Sequence, residues 1–153
     1  MKIQQKVVVS VLLLWVIFLL TYYGNVLLNQ NEVEKNTASF LKAVQARNIS
    51  VAPDFFGSSL DIENVRKSLR EDGFRLLSND YVKADYDDGC VCTGHVDLTF
   101  EVDGKPLKVS AIFTVGPGNK PYQICVLTPS GIERGSISEL SKWNLHACVG
   151  GDF

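Results

Sequence analysis

The chain has 153 residues, 46% of them hydrophobic and 21% charged, with a net charge of −2 and a pI near 5.6. That length leaves room for one domain of ordinary size once a membrane segment is subtracted. The charge balance excludes nucleic acid as a partner class, because phosphate binding needs clustered Lys and Arg. The nearest approach to a basic patch is Arg66, Lys67 and Arg70, followed at once by Glu71 and Asp72, which is the pattern of a solvated helix face.

Between Lys6 and Glu32 there is no charged side chain, and the apolar run from Val7 onward is broken only by Ser10 before Thr21, Tyr22 and Tyr23. As a helix, residues 7–28 cover roughly 33 Å, enough for a hydrocarbon core of about 30 Å. Tyr22 and Tyr23 stand where an aromatic belt meets the outer interface, and Lys2 and Lys6 flank the other end, so residues 1–6 are expected in the cytoplasm. Signal-peptide cleavage after Gly24 would place Tyr22 at the −3 position, where a small residue is needed, and no lipobox cysteine follows. The sequence predicts an uncleaved single-pass anchor in a cell membrane, with residues 31–153 as an extracytoplasmic domain (periplasmic in a bacterium). The lipid bilayer and a neighbouring membrane or extracytoplasmic protein are the implied partners.

After the anchor, Asn31 and Glu34 have capping-box spacing. Val33, Thr37, Phe40, Leu41 and Val44 recur at helical intervals, which predicts a helix ending near Arg47 with Asn48 as its stop. Asn29 to Asn31 is the single weak point, so this helix can follow almost directly from the span. Pro53 and Gly57 mark a loop in which Phe55 and Phe56 are core candidates. Asp61 opens a second helix with Ile62, Val65 and Leu69 as its stripe and Gly73 as its end.

From Phe74 the period changes to two. Residues 76–86 read as a strand, and Asp87-Asp88-Gly89 as a turn. In the next strand Cys90, Cys92, Gly94, Val96, Leu98, Phe100 and Val102 share one face, with Thr93, His95, Asp97, Thr99 and Glu101 on the other. Asp103-Gly104 is a two-residue hairpin signal. Leu107, Val109, Ala111, Phe113 and Val115 alternate in a third strand, a Gly116-Pro117-Gly118-Asn119 loop follows, and residues 122–128 form a fourth. Ser136 and Glu139 form a second capping box, opening a helix to about His146. The expected fold is α+β: two helices packed on a curled antiparallel meander of about four strands, then a short C-terminal helix.

Four cysteines in an exported domain predict disulfides. A bond across Cys90-Val91-Cys92 is sterically disfavoured in a regular strand, so one of Cys90 and Cys92 is expected to pair with Cys125 and the other with Cys148. The competing reading is a thiol- or metal-handling site drawn from Cys90, Cys92, His95, His146 and Cys148. Strand phase sends His95 to the face opposite Cys90 and Cys92 unless a bulge at Gly94 intervenes. No nucleophile motif surrounds either His, Asp85, Asp87 and Asp88 lack calcium-loop spacing, and no helix with Lys-Ser/Thr follows Gly116-Pro117-Gly118. No catalytic residue and no cofactor are therefore expected.

The run Phe40-Leu41-Lys42-Ala43-Val44-Gln45-Ala46-Arg47-Asn48, the broken stretch at Phe55-Phe56 and the long-stranded meander resemble cystatin-like and nuclear-transport-factor-like domains over residues 31 to about 130. That resemblance implies a sheet wrapped on a helix, in folds that host binding cups, enzymes and assembly subunits alike. An apolar helix running into an amphipathic one, then a meander with a disulfide, also resembles the type IV pilins. The Gly-Phe cleavage point and the Glu within the apolar run that pilin precursors carry are absent here. The function these patterns imply is a non-enzymatic, membrane-anchored binding or assembly module; the alternatives are thiol or metal handling, a pilin-like subunit, and a hydrolase-like ligand cup.

Overall fold

The structure is a computed structural model that describes residues 2–48, 50, 56–57 and 75–148, with side chains from residue 5 onward. It is α+β, and its elements in chain order are α1 (Lys2–Gln45), β1 (Arg75–Asp87), β2 (Cys90–Val102), β3 (Lys105–Gly116), β4 (Lys120–Val126) and α2 (Ser138–Ala147). The strands form one antiparallel sheet in the order β1-β2-β3-β4. The helix expected from Asp61 to Gly73 lies outside the described residues, as does Phe55.

One helix, α1, takes in the expected anchor, the weak point at Asn29 to Asn31 and the helix expected to end near Arg47. The Asn31–Glu34 capping box is not used, because α1 runs unbroken through Asn29, Gln30 and Asn31. Its N-terminal half is long and apolar enough to cross a membrane, and its apolar side chains are mostly exposed. Its C-terminal half is core: Val33, Phe40, Leu41 and Val44 are buried. α1 ends in a Schellman motif, with Arg47 in the left-handed region (φ 56°). Asn48 N–H donates to Ala43 O at 2.9 Å and Arg47 N–H to Val44 O at 3.0 Å, which satisfies two terminal carbonyls.

The inward face of the sheet follows the alternation in the sequence. Val96, Leu98 and Phe100 of β2 are buried beside Val109, Ala111 and Phe113 of β3, with Phe100 and Phe113 fully enclosed. Phe56 joins this core by packing on Phe40, ring centroids 4.6 Å apart. Both two-residue turns have the primed geometry a twisted hairpin needs, with Asp88 (φ 47°) and Gly89 (φ 87°) in one and Asp103 (φ 50°) and Gly104 (φ 73°) in the other.

Side chains cover both outer edges of the sheet, which would otherwise present unpaired backbone groups. On the β1 edge, Gln30 Nε2 donates to Ala84 O at 3.1 Å, Ala84 N–H donates to Glu34 Oε1 at 3.1 Å, and Gln45 Nε2 donates to Leu77 O at 2.6 Å. On the β4 edge, Gly57 N–H donates to Pro121 O at 2.8 Å. Trp143 Nε1 donates to Ile124 O at 2.9 Å, and Asn144 bonds both backbone groups of Val126 at 2.8 and 3.0 Å. The capping box expected at Ser136 does not form: α2 starts at Ser138 with no side-chain cap, and Ser136 Oγ donates to Glu133 O at 2.7 Å instead.

Candidate functional site

The chemistry-bearing side chains fall at two places, and the cysteines divide between them. Cys125 and Cys148 are joined, Cα atoms 4.9 Å apart, across a sequence separation of 23. Both are buried, at 8% and 4% exposure. The bond ties β4 to the residue that ends α2, where Trp143 packs on Phe100 with centroids 5.6 Å apart.

Cys90 and Cys92 are joined to each other, Cα atoms 5.4 Å apart. This corrects the expected pairing of Cys90 and Cys92 with Cys125 and Cys148, and the reason is a bulge. Asp85 stands opposite Thr93 and Tyr86 opposite Val91, so Cys92 is an extra residue with no partner on β1. In a regular strand, residues two apart sit about 6.6 Å from one another. The bulge draws Cys90 and Cys92 together and turns Cys92, inward by simple alternation, out to solvent. Gly94, where a bulge would have been needed to bring His95 to the cysteine face, is a paired position, opposite Ala84 and Phe113. A Cβ there would run into the Phe113 ring and Lys83 O, so the glycine serves close packing.

The remaining metal candidates do not converge on the sulfurs. All four cysteines are in disulfides, and His95 Nε2 lies 2.9 Å from Asp85 Oδ2 on the outer face. His146 sits on α2, half-buried, in the last turn. Among the described residues no group of three or more His, Cys, Asp and Glu side chains could hold a metal ion.

The β1–β2 tip lies against the apolar half of α1. The hydroxyls of Tyr22 and Tyr86 meet, with their rings edge-on at 6.4 Å and 81°. At the same end of the sheet, the loop before β4 is fastened to α1: Asn119 Nδ2 donates to Glu32 Oε2 at 2.8 Å, and Asn36 Nδ2 donates to Asn119 O at 2.8 Å. These contacts were not legible in the sequence, since a polar run such as Asn29-Gln30-Asn31 signals a helix break until a strand edge is placed beside it.

On the outer face of β2 and β3, Asp97 Oδ2 lies 2.9 Å from Lys108 Nζ, and Ser110 Oγ donates to Asp97 Oδ1 at 3.0 Å. The Lys108 contact, with help from Ser110, holds the Asp97 carboxyl below its ordinary range. Asp97 in turn holds the Lys108 ammonium above its own. A cleft of about 490 Å³ opens at the end of α1, lined by Val44, Gln45, Ala46, Arg47, Arg75, Leu76 and Leu77, with no carboxylate, His or Cys among the described residues of that lining. Compared with family models, with curated proteins and with solved structures, the chain finds no match.

Proposed function

We propose that this chain is a single-pass, membrane-anchored binding or assembly subunit, whose extracytoplasmic domain is held at a fixed height and orientation over the bilayer. The observation that carries the reading is the continuity of α1: one helix is both the apolar span and the spine of the domain core. A tethered catalyst working on a soluble substrate gains nothing from such stiffness, whereas a subunit that meets a neighbour in the same membrane gains pre-organisation. Side-chain caps on both sheet edges resist non-specific strand addition and leave surface patches to define the partner.

In this reading the bilayer surface passes near Tyr22. Asp87 and Asp88, which follow Tyr86, belong in the headgroup layer because carboxylates are costly in hydrocarbon. On the opposite side of α1, Leu27 and Leu28 remain 60% and 67% exposed, and a tilted span keeps that side in lipid for longer.

The test is to insert two alanines between Leu20 and Thr21, below the Tyr22–Tyr86 contact. The insertion turns the anchor by about 200° and lifts the domain by about 3 Å. Crosslinking and pull-down from native membranes should recover a membrane partner with the parent chain and lose it with the insertion variant. Equal recovery by both would remove the fixed-orientation reading, and release of a soluble domain from cells would remove the anchor.

A second reading, a pilin-like subunit, is favoured by the same unbroken α1 with its exposed apolar half. Electron microscopy of sheared surface material, labelled for this chain, distinguishes it: filaments support a pilin, and their absence alongside a membrane-resident complex supports the accessory subunit.

A further inference from the structure

We propose that the Cys90–Cys92 disulfide is an exchange site, which oxidises a dithiol in a partner protein presented at the membrane surface. The case rests on four features of the β1–β2 tip. The bond is open to solvent: Cys92 is exposed and Cys90 half-buried, in contrast to the enclosed Cys125–Cys148 pair. It spans a sequence separation of 2, and Cys90 and Val91 are already held by the ladder opposite Asp87 and Tyr86. The fold therefore does not depend on it.

The third feature is an open strand edge. β3 is paired with β2 only as far as Thr93, opposite Thr114; past a register shift its last residues, Val115 and Gly116, pair with β4 instead, and among the described residues no strand is paired with Cys90-Val91-Cys92 on that side. An extended peptide laid there gains main-chain hydrogen bonds as an added strand, and its cysteine arrives beside Cys92. The fourth is charge: Asp87 and Asp88 are exposed in the adjoining turn. They disfavour an acidic segment and attract a basic one, so the partner segment carries Lys or Arg around its two cysteines.

The exchange balances without another reagent. A partner thiolate attacks Cys92 Sγ, the Cys90–Cys92 bond breaks, and its electron pair leaves on Cys90 Sγ, which takes a proton from water. The second partner thiolate then attacks its own sulfur in the mixed disulfide, and Cys92 leaves as a thiolate and is protonated. The partner's two thiols become one disulfide, and Cys90 and Cys92 become thiols.

The test uses the full-length chain in detergent or nanodiscs, equilibrated across ratios of reduced to oxidised dithiothreitol, with each cysteine read by differential alkylation and mass spectrometry. Cys90 and Cys92 should open at a ratio about tenfold less reducing than Cys125 and Cys148, while the fluorescence of buried Trp143 is unchanged. Opening of both pairs together, or retention of Cys90–Cys92 until the Trp143 signal is lost, overturns the proposal. A synthetic dithiol peptide rich in Lys should reduce Cys90–Cys92 about tenfold faster than its Glu-substituted counterpart, and the gap should close in high salt. Equal rates for the two peptides overturn the assignment of a basic partner.

Discussion

The two ends of the sheet are built on opposite plans. At the α2–β4 end everything is closed: Cys125–Cys148 is enclosed, Trp143 and Asn144 take up the backbone groups of β4, and Trp143 packs on Phe100. At the β1–β2 tip the ladder carries an extra residue, the disulfide faces water, and the tip meets α1 through one tyrosine against another. Two disulfides in one small domain thus do different jobs. The buried one cross-links β4 to the residue that ends α2 across a sequence separation of 23, and the exposed one bridges positions that the hairpin already holds.

The sharpest way to break this comparison is at its closed end. Trp143→Ala should cost about 3–5 kcal/mol, since it opens a cavity over Phe100 and orphans Ile124 O. Urea unfolding measures this directly, and a cost under about 1 kcal/mol would mean that α2 is not part of the core.

Next in size are the two cross-links. Replacing Cys125 and Cys148 together by Ala should cost about 3 kcal/mol for a separation of 23 on the chain-entropy account. Replacing Cys90 and Cys92 together by Ser should cost about 1.5 kcal/mol or less for a separation of 2. Melting curves of the two double variants rank the ends, and an inverted order would make the tip the structural one.

Much of this arrangement was legible in the sequence, and the misses share a cause. The alternation from Gly94 to Phe100 specifies β2 and its inward face, because that period leaves one register that buries Val96, Leu98 and Phe100 together. Asp103-Gly104 specifies its turn. The bulge at Cys92 was not legible, since an extra residue is defined only against the strand opposite it, and without it Cys90 and Cys92 cannot be brought together. α1 misled for a similar reason. Asn29 to Asn31 reads as a break and Glu34 as a capping-box partner until Ala84 is placed beside Gln30 and Glu34, which do for β1 what Asn144 does for Val126. Ser136 and Glu139 match a capping box by spacing, but the Ser136 hydroxyl is taken by the preceding turn.

Two buried polar residues sharpen the picture at a smaller scale. Asn144→Ala strands the N–H and C=O of Val126 and should cost about 1–3 kcal/mol. Thr37 on α1 is fully buried, and its hydroxyl has no partner among the described residues. Thr37→Val should therefore leave stability unchanged or raise it by about 1 kcal/mol. Denaturant midpoints that move in opposite directions for the two variants would separate a polar group used as an edge cap from one merely tolerated.

The smallest effect belongs to neither end. Asp97, Lys108 and Ser110 lie on the outer face in mid-sheet, and the Asp97 and Lys108 side chains are 28% and 62% exposed. Solvent screens such a pair, so Asp97→Asn should lower the melting temperature at neutral pH only slightly. Its pH dependence is more telling than its size. The folded-state pKa of Asp97 is lowered from 3.8, so its contribution is fully present above about pH 3.8 and fades as the pH falls through the lower, folded value. Lys108 is raised from 10.5, so its share is present below that pH and is lost as the pH rises through the higher, folded value. The difference between parent and Asp97→Asn should thus be flat across neutral pH, shrink in salt and vanish in acid. A difference that persisted well below pH 3.8 would assign the role of Asp97 to its hydrogen bond from Ser110 rather than to its charge.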